Sequence, residues 1–336
     1  MDPFQQVSLG RSGLVVTSLG LGGGPLAGLF ADVPEDQALA TVRRALAAGV
    51  RLFDTAPLYG LGKSESRLGK ALQGVSRDSF VLASKVGRLL EPEDPEKLAT
   101  REVEFVDAPP LHAIFDFSYD GVMRSYEESL RRLNLERIDI LHIHDPDDHW
   151  EEAMRGAYPA VHKLREQGAV RAIGAGMNQP EMLARFAREG DFDCFLLAGC
   201  YTLLDQTALR ELLPLCAEKR IGLILGGPYN SGILATGAQP GAKFSYNTAP
   251  LEILERVRRI EEVCGRHKLP LKAAALQFPL AHPAIVSIIP GSRSIAELEE
   301  NAVMLSFRIP AAFWLDLKDQ KLLPAEAPVP DDEVRV

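Results

Sequence analysis

Eight times along the chain an apolar, strand-like run is followed by an amphipathic helical run, and this alternation limits the fold more than any other feature. Leu19–Gly24 precedes a helix expected over Glu35–Ala48, Arg51–Ala56 one over Ser64–Leu72, and Phe80–Gly87 one over Gly121–Leu133. Asp139–His144, Val170–Gly176 and Cys194–Cys200 precede helices expected over Met154–Gln167, Pro180–Glu189 and Ala208–Lys219. Gly222–Gly227 and Val286–Gly291 lead to Leu251–His267 and Ile295–Leu305. Near-continuous apolar strands signal a parallel sheet covered by helices, and eight such units favour closure into an α/β, (β/α)8 barrel. An open dinucleotide-binding sheet is the weaker expectation, because Gly22-Gly23-Gly24-Pro25 lacks the Gly-x-Gly-x-x-Gly spacing.

One domain over residues 1–336 is therefore expected. Val7–Val16 reads as a hairpin ahead of the barrel, a plug or lid, and Pro310–Leu322 as a C-terminal helix carrying Trp314. Leu89–Asp120 shows no clear helix: its first half is expected to be mobile, while Phe105, His112, Phe115, Phe117 and Tyr119 are expected to pack over something. The Pro- and acid-rich tail, 324–336, is expected to be loose.

A net charge of −9 without a basic stripe argues against nucleic acid and anionic membranes as partners. No apolar run is long enough to span a bilayer. Cys194, Cys200, Cys216 and Cys264 have no paired spacing, and Met1–Gln6 carries neither a basic head nor an apolar run; a cytoplasmic protein with reduced thiols is expected. The sequence carries no signal of oligomeric state.

In a barrel of this kind, side chains at the carboxyl ends of strands gather at one mouth. Asp54 ends the second strand, Lys85 the third and His144 the fourth, with Tyr59 in the loop after the second. A lysine in an apolar strand requires a counter-charge, which Asp54 supplies from the next strand. Lys85 is expected to lower the pKa of the Tyr59 phenol, making it a proton donor or acceptor, with His144 aligning a substrate oxygen. His142 and His144 share a strand face, so a His-x-His metal pair competes; no further ligand appears at the later strand ends, and no metal is expected. His142, one pleat deeper, is expected to be a hydrogen-bonded core histidine.

Gly49-Val50-Arg51-Leu52-Phe53-Asp54-Thr55-Ala56 with Tyr59, Glu65-Ser66-Arg67-Leu68-Gly69, Ser84-Lys85, Ser129-Leu130-Arg131-Arg132-Leu133 and Ile143-His144-Asp145-Pro146 together resemble the aldo-keto reductase family. The match runs from the hairpin to Asn301, and these motifs in this order are highly specific. The resemblance implies a TIM barrel with a nicotinamide cofactor across the carboxyl ends of its strands and a tetrad of Asp54, Tyr59, Lys85 and His144. Tyr59 would then be the general acid/base, Lys85 would tune it, Asp54 would hold Lys85, and His144 would orient the substrate.

Cofactor contacts implied by the resemblance fall at Asn178, Gly226, Pro228, Gly291, Ser292, Arg293, Glu297 and Asn301. Asn178 follows Gly174-Ala175-Gly176-Met177, where many members read Gly-Val-Ser-Asn, and Gly226 falls where a tyrosine often stacks on the nicotinamide. Ala198 stands where a glutamine is usual. NADP-preferring relatives carry Lys at Gly291 and Arg at Glu297; here one charge is gone and the other reversed. NAD is the expected cofactor, with Arg293 the residue through which NADP could still bind. Within the family, Phe117–Ser125, His144–Asp147, Gly174–Asn178 and Tyr201–Gln206 are similar to the aldose 1-dehydrogenases (L-fucose or D-threo-aldose) and the pyridoxal 4-dehydrogenases. The expected partner is a small hemiacetal, oxidised to its lactone, with Asp145 binding sugar hydroxyls alongside Tyr59 and His144. An NADPH-dependent carbonyl reductase, a metal hydrolase and a non-catalytic nucleotide sensor are the competing readings.

Overall fold

A computed structural model describes residues 1–94, 96 and 105–330. Its centre is an eight-stranded parallel sheet of β1 (Leu21–Gly22), β2 (Leu52–Asp54), β3 (Val81–Val86), β4 (Ile140–His144), β5 (Ala172–Met177), β6 (Cys194–Ala198), β7 (Gly222–Gly226) and β8 (Ile285–Ile289), paired in chain order. The ring closes where the Gly20 N–H donates to the Ile288 carbonyl and the Ile288 N–H to that of Ser18, both at 2.8 Å. Parallel bridges at Leu19–Ile288 and Gly22–Gly291 flank these bonds. The barrel read from the eightfold alternation is therefore present.

The surrounding helices are α1 (Glu35–Ala48), α2 (Lys63–Leu72), α3 (Tyr119–Leu133), α4 (Tyr158–Glu166), α5 (Pro180–Glu189), α6 (Leu212–Lys219), α7 (Leu251–His267), α8 (Leu271–Leu280), α9 (Ile295–Ser306) and α10 (Ala311–Asp319). Sequence patterning misses α8 because Ala273 to Leu280 are all buried, and a helix apolar on every side shows no amphipathic period. The helix expected over Met154–Gln167 is interrupted by a π-turn at Ala153–Ala157.

Strand alternation divides the core in two. Phe53, Leu82, Leu141, Ile173, Phe195 and Leu225 face the helices. Leu52, Val81, Ala83, Ile140, Ala172, Cys194 and Ile224 face the barrel axis, where Leu9, Leu14 and Val16 join them. Those last three belong to an antiparallel hairpin of Gln6–Ser8 with Val15–Thr17, so the hairpin is a plug in the amino-terminal end of the barrel. The mouth at the other end stays free for chemistry.

Part of the 89–120 stretch is a hairpin pairing Arg88–Pro92 with Leu111–Phe115, and Tyr119 already begins α3. The mobility expected of its first half falls largely on residues 95 and 97–104, outside the described residues. Phe105 and Phe117 are buried, as packing required, whereas Phe115 and Tyr119 are exposed. The loose tail is corrected over 324–330: Ala327 is buried, its N–H donates to the Pro324 carbonyl at 3.2 Å, and Val329 packs on the core. Residues 331–336 lie outside the described residues.

The α2–α3 contact is close at Gly69, where an added Cβ would fall inside van der Waals contact with the Leu133 carbonyl oxygen. Gly69→Ala is expected to force the helices apart and destabilise the fold by about 1–3 kcal/mol, read as a lowered midpoint in thermal or urea unfolding.

Candidate active site

The inward side chains of β2, β3 and β4 end in Asp54, Lys85 and His144, and register places Asp54 beside Ala83 and Lys85 beside His142. All three functional side chains are buried. The Lys85 ammonium donates to both Asp54 oxygens at 2.9 and 2.8 Å and to the Thr55 carbonyl at 2.8 Å. Burial opposes the lysine's charge, but Asp54 and Tyr59 outweigh it and hold the amine above its ordinary pKa. The barrel mouth therefore carries a permanent cation.

Tyr59 lies over this cation, with Lys85 Nζ 4.5 Å from the ring centroid. Its ring meets His144 edge-on at 6.0 Å, and Phe105 covers it from the long insertion at 6.3 Å. The expected tuning of the phenol needs correction. Lys85 does pull the pKa down, but burial is the larger effect, and the phenol is pushed up to about 12. Near neutral pH it is a protonated donor. His144 is held well below its usual pKa by burial, then by Lys85 and Arg88, so the imidazole is neutral. A neutral imidazole and a phenol facing one another can hold one oxygen between them and exchange a proton with it.

His142 is buried and neutral, pushed down to about 3 by burial and the neighbouring Lys85. Neither of its ring nitrogens has a protein hydrogen-bond partner, contrary to the hydrogen-bonded histidine expected. Among the described residues, no group of three His, Cys, Asp or Glu side chains is placed to hold a metal.

Asp145 follows His144 at a left-handed turn, φ 44°, with its N–H donating to the Gly176 carbonyl at 3.0 Å. Its Oδ2 accepts from Arg88 at 2.8 Å and lies 3.4 Å from His144 Nε2. Arg88 is absent from the sequence-derived set. The available signal was a charged residue three positions past Lys85 at a strand's carboxyl end. Around the tetrad, Glu65 accepts from Ser84 at 2.8 Å and from Arg132 at 2.6 Å. Through these bonds the Glu65–Gly69 and Ser129–Leu133 motifs pin α2 and α3 to the back of β3.

The positions implied for a cofactor form an arc along the mouth. Asn178 is exposed just past β5; Gly226, at the end of β7, puts no side chain beside Leu196 and Ala198; and Pro228 is buried in the following loop. Tyr229 donates to Asn301 at 2.7 Å and Asn301 to Ser292 at 3.1 Å, tying the β7 loop to the start of α9. Arg293 is spent on Glu297, which accepts from its backbone N–H at 2.8 Å and from its guanidinium at 2.9 and 3.2 Å. At Gly291 a side chain would press into Pro25, so that glycine also serves the close approach of the β1 loop. The open face at Gly226 and the amino end of α9, where phosphate groups are favoured, suit an extended dinucleotide.

These features define a barrel oxidoreductase site, and the chain belongs to the aldo/keto reductase family, whose model matches residues 18–320. The chain is 40% identical to D-threo-aldose 1-dehydrogenase of a Pseudomonas species, with 93% of this chain and 96% of the relative covered. It is 38% identical to pyridoxal 4-dehydrogenase of Microbacterium luteolum, covering 94% and 97%. It is 31% identical to L-galactose dehydrogenase of Arabidopsis thaliana, covering 91% and 89%. An aldo-keto reductase from Bacillus halodurans in its holo form shares the fold, with a TM-score of 0.74 over 98% of this chain and 99% of that one at 24% identity. The chain is thus an NAD(P)-dependent oxidoreductase acting on CH–OH groups.

Asp54→Asn is expected to strand the buried Lys85 ammonium and to destabilise the enzyme by about 3–5 kcal/mol, whereas Asp54→Asn with Lys85→Met should recover part of that loss. Urea unfolding of the three proteins checks both statements.

Proposed function

We propose that this chain oxidises the C1 hydroxyl of a free aldose, in its cyclic hemiacetal form, to the lactone with NAD. The carrying observation is a carboxylate, Asp145, set 3.4 Å from His144 Nε2, where a polyol rather than an apolar carbonyl compound finds a partner. Relatives named for aldose and galactose oxidation support the same substrate class.

In the proposed reaction the anomeric oxygen is held between Tyr59 and His144. The Tyr59 phenolate takes the hydroxyl proton as the C1–H bond gives up its hydride and the C1–O bond becomes a carbonyl. When bound, the nicotinamide supplies the hydride acceptor. Lys85, fixed by Asp54, stabilises the phenolate, and neutral His144 donates to the oxygen. Asn178, Gly226 and Pro228 would border the nicotinamide, while Gly291, Ser292, Arg293, Glu297 and Asn301 would border the adenosine end. NAD is favoured because the Arg293 charge is already neutralised by Glu297, leaving a 2′-phosphate to meet a carboxylate.

A second reading, oxidation of the pyridoxal hemiacetal to its lactone, rests on the 38% identical pyridoxal 4-dehydrogenase. Initial rates with L-fucose, D-arabinose, L-galactose and pyridoxal, each with NAD⁺ and NADP⁺, separate the two. Turnover of a sugar with NAD⁺ supports the first reading and excludes a sensor without catalysis; turnover of pyridoxal alone supports the second. A higher rate with NADP⁺ overturns the cofactor assignment.

Tyr59→Phe should abolish turnover while NAD binding, followed by fluorescence titration, persists. Because oxidation uses the phenolate and the phenol sits at about 12, oxidative kcat/KM should rise about tenfold per pH unit below that value. The reductive direction uses the phenol and should show no such rise. Glu297→Gln, which releases Arg293, should raise the NADP⁺/NAD⁺ ratio of kcat/KM by about tenfold.

A further inference from the structure

The insertion hairpin after β3 supplies a residue that the tetrad does not account for. Arg88 and Phe115 are cross-strand partners in that hairpin, and the guanidinium lies 4.2 Å from the centre of the Phe115 ring. Stacked there, Arg88 donates to Asp145 Oδ2 at 2.8 Å. The left-handed turn at Asp145 ends β4 abruptly and leaves the carboxylate beside the His144 imidazole. Left-handed backbone at a non-glycine residue is uncommon, although Asp tolerates it better than most, and such settings concentrate at functional sites. Among the described residues no donor reaches Asp145 Oδ1, and the side chain keeps 30% of its surface open. One oxygen of this carboxylate is therefore held by Arg88, and the other, on a side chain that is part open, accepts from no donor among the described residues.

We propose that Arg88 and Asp145 read the hydroxyl on the carbon adjacent to the one oxidised, so that the site takes hemiacetals with a free 2-hydroxyl. The proposal rests on the aldose reading above and deepens it. An oxygen held between Tyr59 and His144 carries its neighbouring hydroxyl one carbon–carbon bond away, within reach of a carboxylate lying 3.4 Å from Nε2. A carboxylate can only accept, so it takes the 2-hydroxyl, which donates and keeps its proton, while the C1 hydroxyl gives its proton to Tyr59. Arg88 aims the carboxylate and favours its ionised form against burial, the larger effect, which pushes its pKa up. A substrate without that hydroxyl leaves Oδ1 partly dehydrated and unpaired, and the pyridoxal hemiacetal is such a substrate. Asp145 binds the substrate; Arg88 is a positioning residue that acts through it.

The test is the ratio of kcat/KM for an aldose to that for its 2-deoxy counterpart, both with NAD⁺. A hydrogen bond to a charged acceptor should make this ratio about 10 to 100 in the unaltered enzyme. Asp145→Gly, which suits the left-handed backbone, should bring the ratio to about 1, and Asp145→Asn should leave it intermediate. Arg88→Met should lower the ratio severalfold and Arg88→Lys should restore most of it, a pattern that mere loss of packing would not give. A ratio below about 3 in the unaltered enzyme, or one unchanged in both Asp145 variants, overturns the proposal. If no aldose is oxidised, the aldose reading itself fails, and the pair is judged on reduction of glycolaldehyde against acetaldehyde with NADH in the same variants. There, a ratio lost with Asp145 supports the proposal and a ratio indifferent to it overturns it.

Discussion

A lysine ammonium inside a ring of apolar strands is almost wholly shut off from solvent, and the site is arranged around that fact. Both oxygens of Asp54 and the Thr55 carbonyl are committed to Lys85. That commitment requires the inward positions of β2 and β3 to keep their register, because a slip of one residue would turn every side chain to the opposite face. Everything nearby responds to the trapped cation. His142 and His144 are kept neutral in part by it, and the Tyr59 phenol is pulled down by it while burial pushes harder the other way. A single buried charge thereby biases the protonation of three neighbours, second in each case to burial.

Much of this was legible in the residues. The alternation of strand-like and helical runs carried the barrel, because burying a strand on both faces and a helix on one leaves different periods in the chain. Asp54, Lys85 and His144 could be placed because each closes an apolar run with a polar side chain, and the structure brings them to one mouth with Tyr59. Long-range balances were not legible. Whether burial or Lys85 governs the phenol depends on how deeply Phe105 and the strands cover it, and no local spacing encodes that depth. His142 lacks the hydrogen bond expected of it for the same reason, since its surroundings are set by neighbouring strands.

The positions proposed to border the cofactor show both sides of this limit. The reversal of charge at Glu297 could be read from the sequence, but its pairing with Arg293, which neutralises the remaining cation, appears only in three dimensions. Gly291 looked like a lost lysine and is also a packing requirement, because the β1 loop brings Pro25 against it. Helix α8 stayed hidden because complete burial erases the polar face by which helices are recognised.

The hairpin that pairs Arg88 with Phe115 is a separate two-stranded sheet, outside the barrel ladder that fixes Asp54, Lys85 and His144. The barrel strands tolerate little variation, since each inward residue meets neighbours from both sides of the ring. A surface hairpin can lengthen, shorten or exchange residues without disturbing that packing. The group that moves the proton and Arg88, proposed to position the carboxylate that reads the substrate, thus lie in segments under different packing constraint. Descent with modification can revise the second while inheriting the first unchanged.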